Sequence, residues 1–204
     1  KARSEGYAVP EFMKGEADIT PAARGTLTHK VLELIPFDEM LDETKVREFV
    51  ESLPEKGFMS AREAEAVDCR KVAAFFKSDT GRRLRDAQWI RREWPFTLRK
   101  SRDEIAAMAA NDDIKEEMRS SLSENVLIQG IIDCCFRDDR GIVVVDYKTD
   151  WVDRKNKDSE IARLREEYRR QLELYSEVIE RSLGERPESV VLFLLDSGDA
   201  VNIF

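Results

Sequence analysis

The residue types and spacing that most directly suggest chemistry are Asp133, Asp146 and Lys148. Asp133 closes the run Ile128-Gln129-Gly130-Ile131-Ile132-Asp133. The polar turn Asp138-Asp139-Arg140-Gly141 then leads into Ile142-Val143-Val144-Val145-Asp146-Tyr147-Lys148. Both runs read as β-strands, the second almost wholly apolar until it delivers an acid, a tyrosine and a lysine in a row. A hairpin closed symmetrically on Asp139 and Arg140 sets Asp133 opposite Asp146. Facing Cβ atoms sit about 4.5–5.5 Å apart, where like charges repel and a divalent cation would relieve them. Strand period puts Lys148 on the face of Asp146. A second register stays open: a left-handed bulge at Gly141 shifts the pairing by one residue and sends the acids to opposite faces.

Around this hairpin the chain divides into helices, strands, a helix and strands, which predicts an α/β fold with a mixed sheet flanked by helices. Residues 1–19 show no period and read as an extended lead-in. Thr20-Pro21 predicts a helix start, with Thr as N-cap and Pro at the first helical position. That helix runs to about Ile35, with Leu27, Val31, Leu34 and Ile35 on one apolar face. Short helices follow over 44–52, 60–67 and 69–77, the second opened by a Ser60/Glu63 capping box. Residues 88–98 predict a strand, on an edge if Pro95 is to be tolerated, and 101–124 a polar loop, partly helical and mobile. After the hairpin and a charged linker, a long helix spans about 160–183, stopped by Gly184 with Pro187 beyond. Strands over 189–195 and 200–204 complete the chain. The organisation expected is a single domain over 1–204, with a helical region over 1–87 and a sheet core over 88–204.

Several other side chains could join the hairpin. His29 is the chain's only histidine and falls opposite the expected stripe of its helix, with Gly25 one turn earlier leaving space beside the imidazole. It is either an exposed histidine or a ligand. Gln171 and Tyr175 stand i, i+4 on the long helix and share a face; they are binding groups or a helix-boundary amide and a core phenol. Glu93 alternates with Trp89 and Arg91 while Trp94 and Phe96 take the other face. It either leans toward the acids as a further carboxylate or pairs with Arg91 or Arg92.

Composition bounds the rest. The 204 residues are 42% hydrophobic and 37% charged, with a net charge of −8, which argues against a general polyanion binder. Between Arg82 and Arg102, however, eight basic residues interleave with Trp89, Trp94 and Phe96. This stretch is either a track for a phosphate backbone or a solvated, arginine-rich edge. Cys69, Cys134 and Cys135 form no metal-binding pattern, and three cysteines fall short of the four thiolates of an iron–sulfur cluster. No run approaches a membrane span, and no G-x-x-x-x-G-K-[ST] phosphate loop is present. The chain opens on Lys1 rather than Met, so it reads as a piece of a longer polypeptide.

Taken in order, Gly25-Thr26-Leu27-Thr28-His29, Glu93 before Pro95-Phe96, Gly130-Ile131-Ile132-Asp133, Asp146-Tyr147-Lys148-Thr149 and Gln171-Leu172-Glu173-Leu174-Tyr175 resemble the RecB-like branch of the PD-(D/E)XK nucleases. Within it, the pattern is most similar to the C-terminal nuclease domain of AddA-type helicase–nucleases. The resemblance implies a restriction-endonuclease-like core. It makes His29, Asp133, Asp146 and the backbone carbonyl of Tyr147 ligands of Mg²⁺ or Mn²⁺, with Asp133, Asp146 and Lys148 catalytic and Gln171 and Tyr175 in contact with DNA. Glu93 is a possible additional site residue. It further implies a metal-dependent exonuclease domain without an iron–sulfur cluster, cutting single-stranded DNA unwound by a helicase in double-strand-break repair by homologous recombination. The helicase region would lie in the same polypeptide, ATP would serve only that motor, an AddB-type protein would be the partner, and the location would be the bacterial cytoplasm at the nucleoid. The alternatives are a catalytically silent DNA-binding or docking module of the same fold, or a stand-alone RecB-like nuclease.

Overall fold

The computed structural model describes residues 19–37, 41–101, 103–105 and 125–203. The expected lead-in and nearly all of the expected mobile loop lie outside these residues.

Helix α1 (Pro21–Leu34) begins where Thr20 and Pro21 predict, with Thr20 accepting from the amide of Ala23. Helices α2 (Glu43–Ser52), α3 (Ala61–Glu65) and α4 (Cys69–Lys77) follow, each capped by an Asp or Ser side chain, and the Ser60/Glu63 capping box is formed. Helix α5 (Asp79–Arg85) is not anticipated from the sequence, where its Arg82, Arg83 and Arg85 read as the start of a basic stretch. Strands β1 (Trp89–Ser101), β2 (Asn125–Arg137) and β3 (Ile142–Lys148) come next. The long helix α6 (Lys157–Leu183) then precedes β4 (Ser189–Leu194) and β5 (Asp199–Asn202).

The sheet has the order β1-β2-β3-β4-β5, with β1 on an edge as Pro95 requires. Strands β3 and β4 are parallel, joined across α6, and the other neighbours are antiparallel. Val143, Val145, Tyr147 and Phe193 pack against α1, α2 and α4 on one face, whereas Ile142, Val144, Leu192 and Leu194 pack against Leu164, Leu172 and Ile179 of α6 on the other. Strand β3 is therefore buried on both faces, which is why it reads as an unbroken apolar run. The two cysteines of β2 divide between these cores, Cys134 toward the N-terminal helices and Cys135 toward α6.

The hairpin adopts the symmetric register. Cys134 pairs with Val145 and Arg137 with Ile142. Gly141 does have a positive φ of 140°, yet no residue is gained on either strand. The turn is set by Asp138, whose carboxylate accepts from the amides of Arg140 and Gly141 and is held bidentately by Arg83. Arg83 also binds Glu188 at the start of β4. A partnered charge group centred on the buried Asp138 carboxylate thus fixes the register that the turn residues alone left open.

Beyond Cys134 and Val145, β2 and β3 part. β3 goes on beside β4 to Lys148, while the first half of β2 leaves as a two-stranded ribbon with β1. At the parting point β1 and β2 also bend. Arg92 pairs with Cys134 and Trp94 with Ile132, leaving Glu93 and Asp133 between them. Glu93 has a φ of 45°. This left-handed residue reverses side-chain parity, so that Trp89, Trp94 and Phe96 all pack toward α6 and Arg91 stacks on Trp94 at 4.7 Å. The expectation that Trp94 and Phe96 would oppose Trp89 and Arg91 is corrected here, since strict alternation fails across a positive φ.

Candidate active site

The fork between β2 and β3 holds the acids of the hairpin. Asp133 and Asp146 are the first residues past the last paired positions, each at the inner edge of its strand. Asp133 accepts the amide hydrogen of Tyr147 through Oδ2 at 2.8 Å, so the ladder ends in a side chain bridging the strands. Its other oxygen lies 3.5 Å from His29 Nδ1. Asp146 projects toward α6, where Gln171 Nε2 donates to Oδ1 at 3.1 Å and Lys148 Nζ sits 2.8 Å from Oδ2. Oδ2 is buried, and the Lys148 ammonium is its partner among the described residues.

His29 reaches the fork because α1 buries a different face from the one its leucines suggest. Gly25, Thr28, Val31 and Leu32 are buried, while Leu27 and Leu34 are only partly covered. His29 lies beside the buried face, edge-on to Tyr147 with ring centres 6.1 Å apart. Gly25 does not open space beside the imidazole; it admits Thr149, whose Oγ1 would lie 2.9 Å from a Cβ at that position. The C-terminal end of α1 carries no basic residue. Arg92 of β1 supplies one, donating to the carbonyls of Ile35 at 2.6 Å and Leu32 at 3.3 Å, where the helix dipole favours a cation. The residue preceding Glu93 therefore ties the histidine's helix to the bent strand.

The nitrogens and carboxylate oxygens of His29, Glu93 and Asp133 include one from each residue that lie within 4.8 Å of one another. Asp146 stands outside this tight set, drawn toward Lys148 and Gln171. The sequence leaves Glu93 open between the acids and an arginine; the structure puts it with the acids. The cost of grouping them shows in their ionisation. Burial, and then the charge of Asp133, pushes Asp146 up to about 6, and the same two causes raise Glu93. Burial alone would lower His29, but the Asp133 hydrogen bond and the charges of Asp133 and Asp146 outweigh it and raise it. A set of carboxylates with one imidazole matches the preference of Mg²⁺ and Mn²⁺ for hard oxygen donors with an occasional imidazole.

Gln171 and Tyr175 meet the site from α6. Gln171 Nε2 also lies 2.6 Å from the Tyr175 hydroxyl, which in turn donates to the Ile131 carbonyl at 2.9 Å. Tyr175 is buried and packs on Phe96. Gly130 makes that possible, since a Cβ there would stand 2.6 Å from Phe96 Cζ. The Gly130 and Phe96 motifs are two halves of one contact that braces the ribbon against α6. Tyr168 of α6 also borders the site. Its ring lies 4.5 Å from Lys148 Nζ, and its hydroxyl donates to Asp150. Part of the basic stretch is engaged within the protein. Arg83 holds Asp138, Arg92 caps α1, Lys100 pairs with Glu177, and Arg99 donates to Asn125; Arg102 lies outside the described residues.

Left-handed backbone costs a non-glycine residue about 1–2 kcal/mol. Glu93→Gly is therefore expected to raise the denaturant midpoint of the metal-free protein, while Glu93→Ala, which keeps the strain, gains less. Equal midpoints for the two variants would show that the bend stores no local strain.

A mixed sheet that forks to present two acids and a lysine, with an imidazole from one flanking helix and an amide from the other, defines a restriction-endonuclease-like hydrolase fold. The chain belongs to the PD-(D/E)XK nuclease superfamily, whose family model matches residues 2–202. Among curated relatives it is similar to the A subunit of the ATP-dependent helicase/nuclease of Desulforudis audaxviator, at 37% identity over 95% of this chain and 15% of the relative. The proteins of the same name from Alkaliphilus oremlandii and Geobacillus thermodenitrificans are 34% and 38% identical, over 95% and 86% of this chain and 15% and 14% of theirs. The chain thus spans about 15% of the length of such relatives.

Proposed function

We propose that this chain is a Mg²⁺- or Mn²⁺-dependent deoxyribonuclease domain that cuts single-stranded DNA exonucleolytically. The observation that carries the reading is the fork itself, where Asp133 and Asp146 are held together at an electrostatic cost beside the Lys148 ammonium. His29, Asp133, Asp146 and the Tyr147 carbonyl would hold the ion, with Glu93 as a further carboxylate. A bound divalent ion supplies Lewis-acid polarisation of the phosphate and a more acidic water.

The remaining work falls to the chain's own side chains. Lys148, a strongly hydrated ammonium held beside Asp146, stabilises the charge that gathers on the phosphate oxygens during attack. Gln171 fixes the rotamer of Asp146 by donating to Oδ1, and Tyr175 fixes Gln171. Any contact these two make with DNA is added to that orienting role. Arg92 and Asp138 hold α1 and the hairpin, keeping His29 and Asp133 in place. In the longer proteins this chain resembles, a helicase region of the same polypeptide would deliver the strand in recombinational break repair, with an AddB-type protein as partner in the bacterial cytoplasm. Delivery by a motor relieves the domain of capturing DNA by charge, which fits its net charge of −8.

The test is digestion of end-labelled single-stranded DNA by the 204-residue chain in Mg²⁺, in Mn²⁺ and in EDTA. Stepwise release of nucleotides in either metal, absent in EDTA, supports the reading. Binding without cleavage in both metals would instead identify a silent module.

A further inference from the structure

Trp151 is 70% exposed, the largest fraction among the exposed large apolar side chains of the described residues. It does not belong to either core, whereas Trp89 and Trp94 both pack against α6. Its neighbours are fixed. Asp150 accepts from the Tyr168 hydroxyl at 3.2 Å, and the amide of Val152 donates to Asp196 at 3.1 Å. Asp196 is itself held by Lys71 at 2.6 Å, and the Val152 side chain is buried. The indole is thus held out into solvent by a segment anchored on both sides. Trp151 follows Lys148 by three residues, so their Cα atoms are at most about 11 Å apart. Tyr168 touches Lys148 through its ring and Asp150, the residue before Trp151, through its hydroxyl.

We propose that Trp151 is a base-stacking platform for an unpaired nucleobase of the strand being cut, next to the scissile phosphate. This rests on the nuclease reading of the fork and names what selects a single strand there. An indole face attracts any base, but in a duplex the base faces are covered by their neighbours in the stack. The charge pattern supports stacking over phosphate attraction, because Arg83, Arg92 and Lys100 of the basic stretch are engaged within the protein.

Two measurements on the 204-residue chain test this. In EDTA, oligothymidylate is expected to quench part of the tryptophan emission of the wild type, and Trp151→Phe is expected to remove that quenched component. In Mg²⁺, Trp151→Ala is expected to raise KM for single-stranded DNA about tenfold with little change in kcat, and Trp151→Phe to recover most of the loss. A tetrahydrofuran abasic residue at the stacked position raises the wild-type KM by a similar factor and adds nothing in Trp151→Ala. Quenching unchanged in Trp151→Phe, or a KM in Trp151→Ala equal to that of the wild type, overturns the proposal. Quenching that depends on Trp151 in a protein that never cleaves would uphold the platform and sink the nuclease reading.

Discussion

Asp146→Asn is expected to abolish cleavage and, in the same protein, to raise stability whenever metal is absent. The two effects have one cause. Asp146 is 1% exposed, and burial together with Asp133 raises it to about 6 from an ordinary value of 3.8. A folded state that binds a proton more tightly than the unfolded chain loses stability as pH rises between those two values. The penalty is absent below about pH 4 and complete above about pH 6. Asparagine keeps an acceptor for Gln171 and carries no charge to bury. At pH 8 in EDTA the variant should therefore melt higher than the wild type, by an amount on the order of 5 °C. At pH 4 the difference should vanish. Saturating Mg²⁺ should reverse the order, because a ligand that binds only the folded state stabilises the wild type and the variant has lost a donor. Activity should fall at least about 10³-fold, the scale on which mutually dependent catalytic groups fail. A variant that melts below the wild type in EDTA at pH 8 would mean that the carboxylate is structural.

Lys148→Met should separate catalysis from metal binding. The ammonium lies 2.8 Å from Asp146 Oδ2 and 4.5 Å from the Tyr168 ring, where methionine can keep the packing while removing the charge. Loss of a preorganised electrostatic contact to the reacting group costs about 10²–10³-fold in kcat. Lys148 favours the ionised form of Asp146 and lowers its pKa, so without it the carboxylate holds its proton to higher pH. The onset of Mn²⁺ binding should move upward in pH, while the affinity reached at high pH should not fall. Isothermal titration with Mn²⁺ across pH 5–9, beside single-turnover cleavage, separates the two readouts. Loss of Mn²⁺ binding at every pH would make Lys148 a structural prop of the site.

Much of this architecture is legible in local pattern. Thr20-Pro21, the Ser60/Glu63 box and Gly184 mark helix ends through chemistry confined to a few residues, and the apolar run of β3 announces its burial on both faces. The forked acids are legible as a pair but not as a register. That choice depends on Arg83, which holds Asp138 from 55 residues away and is itself bound by Glu188, 105 residues along the chain. The bend at Glu93 has no sequence signature, since glutamate rarely takes a positive φ and nothing beside it requires one. Without that bend, strict alternation puts Trp94 and Phe96 on the wrong side of β1. The same distance effect hides α5 and the use of the basic stretch, because arginines that read as a surface track find their partners far along the chain. The buried face of α1 misleads for another reason: its leucines lie on more than one side, and small Gly25 and Thr28 make the close contact.

The central claim is that Asp133 and Asp146 share a divalent ion with His29. Diffraction from crystals soaked in Mn²⁺, with data collected for anomalous scattering, tests it most directly. A strong anomalous peak is expected in the fork, bounded by His29, Asp133 and Asp146 and absent from Asp146→Asn crystals. An empty fork at saturating Mn²⁺, with Lys148 still paired to Asp146 as before, would contradict the claim.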